Sequence, residues 1–483
     1  MTGWEPVIGI EVHVELATRS KMFCGCAVEF GAEPNTRVCP VCLGLPGALP
    51  VPNRTAIEWI MAIGLALNCA VSERSVFHRK NYFYADLPKN YQISQFDIPV
   101  CRDGYLDVSV DGETRRVGIE RAHMEEDTGK STHVGAGGRI HAASSTLLDF
   151  NRSGVPLVEI VSKPDIRSAA EARAYATQLR ALVAELGVSD ARLEEGSIRF
   201  DANVSVRPEG DGELGTKIEV KNMNSFRSLE RAIAFEIRRQ IEVLESNGGL
   251  AQETRHWDEE AEVTRPMRTK EGSSDYRYFT EPDLAPMSMD RGWVEQVRSM
   301  LPELPAARLA RYRDAGLDED LAGVLSDSPA PVRHVFEAAL AAGAAPRPAA
   351  NWLTGEVTGW LRRTDTDPAT LPLSGDQLAE LIAMVDDGTV STSAAKEVLE
   401  GVLDGEGRPG EVADTRDLVQ ISDSSALEAA VDEALAANPE AVANFRAGEK
   451  KVVGFLVGQV MQATQGRADP KLVNRLLNEK LSS

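Results

Sequence analysis

The chain has 483 residues, is 43% hydrophobic and 26% charged, and carries a formal net charge of −22. It is too long for one hydrophobic core, so about two to four domains are expected. The acidic balance excludes indiscriminate polyanion binding, so any nucleic-acid contact must use a locally basic surface.

The opening residues M-T-G-W-E-P-V lack the basic and apolar regions of a signal peptide. The longest apolar run, Trp59 to Val71, is too short to span a membrane and contains Asn68. A cytoplasmic protein is expected, in which the six cysteines serve metal or core roles rather than disulfides.

Val7 to Leu16 reads V-I-G-I-E-V-H-V-E-L. Period-two alternation predicts a strand with Ile8, Ile10, Val12, Val14 and Leu16 on a core face. Glu11, His13 and Glu15 fall on the other face, roughly 7 Å apart. That row is either a solvated strand face or a set of metal-ligand and acid/base groups.

Cys24, Cys26, Cys39 and Cys42 form C-x-C-x12-C-x2-C. Two close pairs across a short loop suit a tetrahedral Zn2+ site, and four thiolates leave no open position, so its role is structural. Cys69 and Cys101 stand alone and read as small core residues. Thr55-x-x-Glu58 has the form of a capping box opening a helix. Arg79 to Gln95 then gathers an arginine, two lysines and three tyrosines. Such a group can hold phosphates and stack a base, or be an ordinary strand surface.

His123, Glu125, Glu126 and Asp127 crowd ligand-capable groups into one short segment. Charge repulsion disfavours that cluster unless a cation offsets it, the bland reading being a solvated acidic turn. The following G-K-S lacks the spacing of a phosphate-binding P-loop. Gly135 to Ser145 reads as a flexible loop.

A helix from the capping box Ser168-x-x-Glu171 runs to about Gly187. Ser197 to Arg207 and Thr216 to Lys221 alternate as strands, with Arg199, Asp201, Asn203, Glu219 and Lys221 on their polar faces. A long helix covers Ser225 to Asn247. The fold class expected is α+β: an antiparallel sheet with one face covered by helices and one open.

After Trp293 the apolar spacing is helical throughout and prolines punctuate short helices. Glu406 to Gly410 reads as a linker, and Ser425-x-x-Glu428 opens a further helical unit. From Arg446 onward seven basic residues face three acidic ones, a local +4 that suits nucleic-acid contact. Expected domains are 1–292, 293–405 and 406–483.

Taken together, V-I-G-I-E-V-H-V-E-L, R-K-N-Y-F-Y-A-D-L-P-K-N-Y-Q-I-S-Q-F-D, H-M-E-E-D-T-G-K-S, D-A-N-V-S-V-R-P, E-V-K-N-M-N-S-F, E-G-S-S-D-Y-R-Y-F-T-E-P-D and V-G-F-L-V-G-Q-V-M resemble one family. It is the GatB family, the B component of the bacterial glutamyl/aspartyl-tRNA amidotransferase, the GatCAB complex. The resemblance implies a cradle-like N-terminal domain, a helical domain and a small helical tail contacting tRNA. It implies ATP-dependent phosphorylation of the side-chain carboxylate of Glu-tRNA(Gln) or Asp-tRNA(Asn), followed by amidation with ammonia. The zinc cysteines occur in only some members, and Gly135 to Ser145 is longer than the family pattern.

The resemblance places Mg2+ ligands at Glu11, His13, Glu126, Asp201 and Glu219, with Glu11, His13 and Glu126 catalytic. Glu15, His123 and Glu125 are candidates for groups behind those ligands. Lys80, Tyr82, Lys89 and Tyr91 are candidates for ATP or substrate contact. A carboxylate attacking ATP meets like charge, which Mg2+ offsets while orienting the attack, and oxygen-rich faces suit that ion. No G-x-S-x-G motif is present to make ammonia. A partner glutaminase is therefore expected, as the GatA component of the family's complex supplies, beside the small GatC component. Alternatives are a metal-dependent phosphotransferase acting on a small carboxylic acid without tRNA, and a zinc-stabilised scaffold.

Overall fold

The computed structural model describes residues 3–110, 112–135, 143–267, 276–420, 424–446, 450–464 and 467–482. The chain divides into two compact units, Met1–Leu304 and Pro305–Ser483.

The first unit is built on strands β1 (Trp4–Glu15), β2 (Ala70–Val71), β3 (Arg74–Ser75), β4 (His78–Asn81), β5 (Tyr91–Ser94), β6 (Cys101–Val110), β7 (Glu113–Glu126) and β8 (Lys130–Val134). They are followed by β9 (Ser145–Asp149), β10 (Pro156–Ser162), β11 (Ile198–Pro208), β12 (Ile218–Lys221), β13 (Glu253–Asp258), β14 (Val263–Pro266), β15 (Phe279–Thr280) and β16 (Met287–Ser288). Nine of them form one sheet in the order β14-β13-β12-β11-β1-β10-β7-β6-β2. Every neighbouring pair is antiparallel except β12 with β13, which is parallel. A smaller sheet runs β15-β4-β5.

The alternation is realised in the second half of β1, from Ile10 to Glu15, while Val7 to Ile10 are buried on both faces. Ile8, Ile10, Val12 and Val14 are wholly buried, while Glu11, His13 and Glu15 stay partly open on the other face. Helices α1 (Arg54–Ala66), α2 (Ala169–Glu185) and α3 (Phe226–Glu245) contribute to the same core, through residues such as Ile60, Leu179 and Ile233. One sheet face is thus covered by helices, as an α+β reading expects.

Two local expectations are revised by the structure. Helix α1 starts at Arg54, and its N-cap is Asn53, whose side chain accepts the N–H of Ala56. The Thr55-x-x-Glu58 pattern is therefore inside the helix, and Glu58 instead accepts from Arg54 and from the Trp293 indole. At α2 the cap is Ser168 as expected, but Glu171 reaches back to the Arg167 N–H rather than to that of Ser168. The loop read at Gly135 to Ser145 lies largely outside the described residues, and its flanks pair as the hairpin β8–β9. Glu271 to Asp275 also lie outside them.

Gly104 on β6 passes close under the chain after α1. A Cβ there would lie 2.3 Å from Cys69 Sγ and 2.5 Å from the Leu67 carbonyl oxygen. Gly104→Ala is expected to lower the stability of this unit by about 1–3 kcal/mol, read by denaturant unfolding.

The second unit is helical, with no strand among its described residues. Its first cluster includes Tyr312, Phe336, Leu378, Val398, Val412 and Ala413. Its second includes Leu427, Val431, Leu456, Val460 and Leu477. Pro409 starts a helix, Pro409–Thr415, that buries Val412 and Ala413. The stretch Glu406–Gly410, read as a linker, therefore leads into a packed helix, and Arg408 within it pairs with Glu380.

Candidate active site

Strand register brings one row of side chains together on the face opposite the helices. His13 of β1 lies opposite Glu159 of β10, and Glu159 lies opposite His123 of β7. Cross-strand partners project to the same side, so three neighbouring strands each add one ligand-type group to one line. Glu125, two residues beyond His123, joins them by the same period-two rule.

The ligand atoms of His13, Glu125 and Glu159 all fall within 4.8 Å of one another. His123 Nε2 stands 3.2 Å from Glu159 and 3.5 Å from Glu125, and His13 Nε2 stands 3.7 Å from Glu159. Lys80 of β4 reaches to 3.6 Å from Glu125. Burial opposes a charge on His123, but its hydrogen bonds to Glu125 and Glu159 outweigh it and push the imidazole up to about 9. Burial likewise opposes the charge on Glu125, yet Lys80 and His123 hold it well below the usual carboxylate range. The cluster is thus a buried set of anions compensated by cationic neighbours, not a solvated acidic turn.

The other sequence candidates take separate places. Glu11 lies opposite Asp201 and accepts from Asn203 at 2.9 Å. Asp201 and Glu219 share Lys221, at 2.7 and 2.8 Å. Glu126 follows Glu125 on a strand and so turns to the opposite side. There it accepts from Lys89 and from the Ile93 N–H at 2.9 Å. Glu15 faces Asp127, and burial first, then that neighbouring carboxyl, raises it to about 8. Asp127 is held by Arg199 at 3.1 Å and Arg152 at 3.6 Å.

The four nucleotide candidates divide between the two sides of β7. Lys80 stands 5.3 Å over the ring of Tyr276, which packs edge-on against Tyr82. Lys89 stands 5.5 Å from the ring of Tyr91, and Arg79 covers that ring at 4.2 Å. Arg79 in turn binds the buried Glu281 through two hydrogen bonds.

Glu159 is the site residue that sequence reasoning misses. Its strand, P-L-V-E-I-V-S, is buried at every position, so it offers no alternation to read. The available signal is a single carboxylate within an apolar run, which must find a partner. Tyr276 and Tyr278 are missed as well, as is Phe96, whose ring stacks on Tyr278 at 4.5 Å.

The four loop cysteines bring their Sγ atoms within 4.8 Å of one another, with Cys39 and Cys42 3.9 Å apart. That spacing is close to the edge, about 3.8 Å, of a tetrahedron with 2.3 Å metal–sulfur bonds. The group fits a thiophilic metal. It borders a cavity of about 270 Å³ whose lining includes Lys21, Cys24, Cys42, Arg79, Lys89 and Glu126.

Convergent carboxylates and imidazoles beside a lysine, on a rigid sheet, are the donor set of metal-assisted group-transfer enzymes. The comparisons with known proteins narrow that class. Residues 6–295 match the GatB/GatE catalytic domain, and residues 334–481 match the GatB domain. The B component of the aspartyl/glutamyl-tRNA(Asn/Gln) amidotransferase of Moorella thermoacetica is 52% identical over 99% of this chain and 100% of its own. That of Carboxydothermus hydrogenoformans is 49% identical over the full length of both, and that of Salinispora arenicola 51% over 99% and 97%. The chain belongs to this GatB family of amidotransferase components, which are ligase-type enzymes. Among the described residues no helix is long and apolar enough to cross a membrane.

Proposed function

We propose that the chain uses ATP to phosphorylate the side-chain carboxylate of Glu-tRNA(Gln) or Asp-tRNA(Asn), and then amidates the acyl phosphate. The observation that carries this reading is the convergence of His13, Glu125 and Glu159 beside Lys80. In the first step the carboxylate oxygen bonds the γ-phosphorus and the bond to the β-phosphate oxygen breaks. In the second, ammonia bonds the acyl carbon, phosphate leaves, and the nitrogen loses a proton.

His13, Glu125 and Glu159 would hold Mg2+, two carboxylates and one imidazole being an acceptable set for that ion. Bound there, Mg2+ supplies charge neutralisation between the substrate carboxylate and the ATP phosphates. Lys80 adds a second positive charge on the same side, and His123 orients Glu125 and Glu159 through hydrogen bonds. Tyr82 and Tyr276 next to Lys80 offer apolar faces for an adenine or the substrate end. Glu11, Asp201 and Glu219 extend the polar face, with Asn203 and Lys221 as their partners. Glu126 and Lys89 close one side of the cavity. The four cysteines would hold a structural Zn2+, which ties the ends of their loop together.

The reading includes a catalytic region of about 1–292, a helical region and a basic tail. It also includes a partner amidase that releases ammonia from glutamine, a small third component, and a cytoplasmic setting. Acyl phosphates hydrolyse in water, so ammonia must arrive by a sheltered route.

The test is an amidation assay with each misacylated tRNA, ATP, glutamine and the partner proteins. Lys450, Lys451 and Lys471 are exposed basic groups of the tail. In the full chain, Lys450→Glu, Lys451→Glu and Lys471→Glu together are expected to raise KM for aminoacyl-tRNA about 10-fold or more, with kcat little changed. An unchanged KM would favour a phosphotransferase acting on a small acid.

A further inference from the structure

Lys21 is 1% exposed and is among the largest fully buried side chains of the protein. A buried ammonium is strongly disfavoured unless a negative group sits against it. Among the described residues no carboxylate forms an ion pair with Lys21. Glu126, which shares the cavity wall with it, is engaged by Lys89 and the Ile93 N–H. What Lys21 does touch is Cys42 Sγ at 3.6 Å and the Phe150 carbonyl oxygen at 3.3 Å.

Cys42 is the buried member of the four-cysteine group, the other three being partly open. As a thiolate it would have the least help from water. Its sulfur receives the Cys39 N–H at 3.1 Å and the Lys21 ammonium. The backbone fixes this approach from both sides. The Lys21 N–H binds the Cys26 carbonyl at 3.0 Å, and the Met22 N–H binds the Gly154 carbonyl at 2.8 Å. Gly154 makes this turn at φ +87°, a left-handed conformation that favours glycine, with Cys42 and Lys21 packed beside it.

Four thiolates around a divalent cation leave an excess of two negative charges, and Cys42 carries its share of it where it is buried. We infer that Lys21 is the built-in counter-charge of this metal centre, a positioning residue that neutralises part of the excess and raises affinity for the metal. The inference rests on the zinc reading of the four cysteines. It makes a residue outside the ligand motif part of what the loop needs to load metal.

The test compares the full chain, in complex with its partners, with Lys21→Met, which keeps the length and apolar stem. Zinc content is measured, and zinc affinity by competition with a chromogenic chelator. Lys21→Met is expected to bind zinc about 10-fold or more weakly, the usual effect of removing a group that supports a metal ligand. Equal affinity in the two chains would overturn the inference, and a wild-type chain without zinc would overturn the reading beneath it. A second arm places Lys21→Met in a chain with Cys24, Cys26, Cys39 and Cys42 all changed to Ser. There the ammonium has lost its anions, so the substitution is expected to leave the melting temperature unchanged or raise it. If Lys21→Met lowers stability or abolishes folding equally with and without the cysteines, Lys21 only fills space and the inference fails.

Discussion

Glu159→Gln is expected to reduce ATP-dependent amide formation by about 100-fold or more, while the chain still folds and joins its partners. The side chain keeps its size and its place on β10, but loses the charge that faces both His13 and His123. With one carboxylate gone, the remaining donors are Glu125 and an imidazole, a poor set for a hard cation. Excess Mg2+ is expected to restore part of the rate, since affinity rather than geometry is lost. Steady-state amidation at several Mg2+ concentrations checks this, and a rate within about threefold of wild type at every concentration would remove Glu159 from the site.

Lys89→Met is expected to destabilise the first unit by roughly 3 kcal/mol. The side chains of Lys89 and Glu126 are 5% and 3% exposed, and each is the other's ion-pair partner. Removing the ammonium leaves a buried carboxylate supported by the Ile93 N–H alone. Replacing both, as Lys89→Met with Glu126→Leu, is expected to recover most of the loss, because an apolar pair has no stranded charge. Denaturant unfolding of the two single variants and the double variant measures the coupling. Additive losses would mean that the pair is not energetically linked.

How much of this is legible in the sequence depends on how local each signal is. The β1 ligand face can be read because its inner residues are apolar and its outer ones are not. The cysteine loop can be read because its spacing is a property of one short segment. Glu159 cannot be read from alternation, because β10 lies between β1 and β7 and is buried on both faces. The H-M-E-E-D segment stands out as a cluster, but strand phase divides it. His123 and Glu125 face the metal-type group, and Glu126 turns toward Lys89 and the cavity. Parity with His123 separates them once the strand is taken to continue that far. The α1 cap is misplaced by the sequence pattern because Asn53, two residues before Thr55, supplies the oxygen, and the same amide also donates to the Ser20 carbonyl at 3.0 Å. No sequence window shows that second bond, which joins residues far apart in the chain.

The register that sets His13, Glu159 and His123 in line underlies the whole functional reading. It is tested most directly by crystals of the complex soaked with Mn2+ and a non-hydrolysable ATP analogue, examined by anomalous scattering. The expected result is an anomalous peak bounded by His13, Glu125 and Glu159, with the γ-phosphate on the Lys80 side. A peak held instead by Asp201 and Glu219 with Lys221 displaced, or by Glu126 within the cavity, would contradict it.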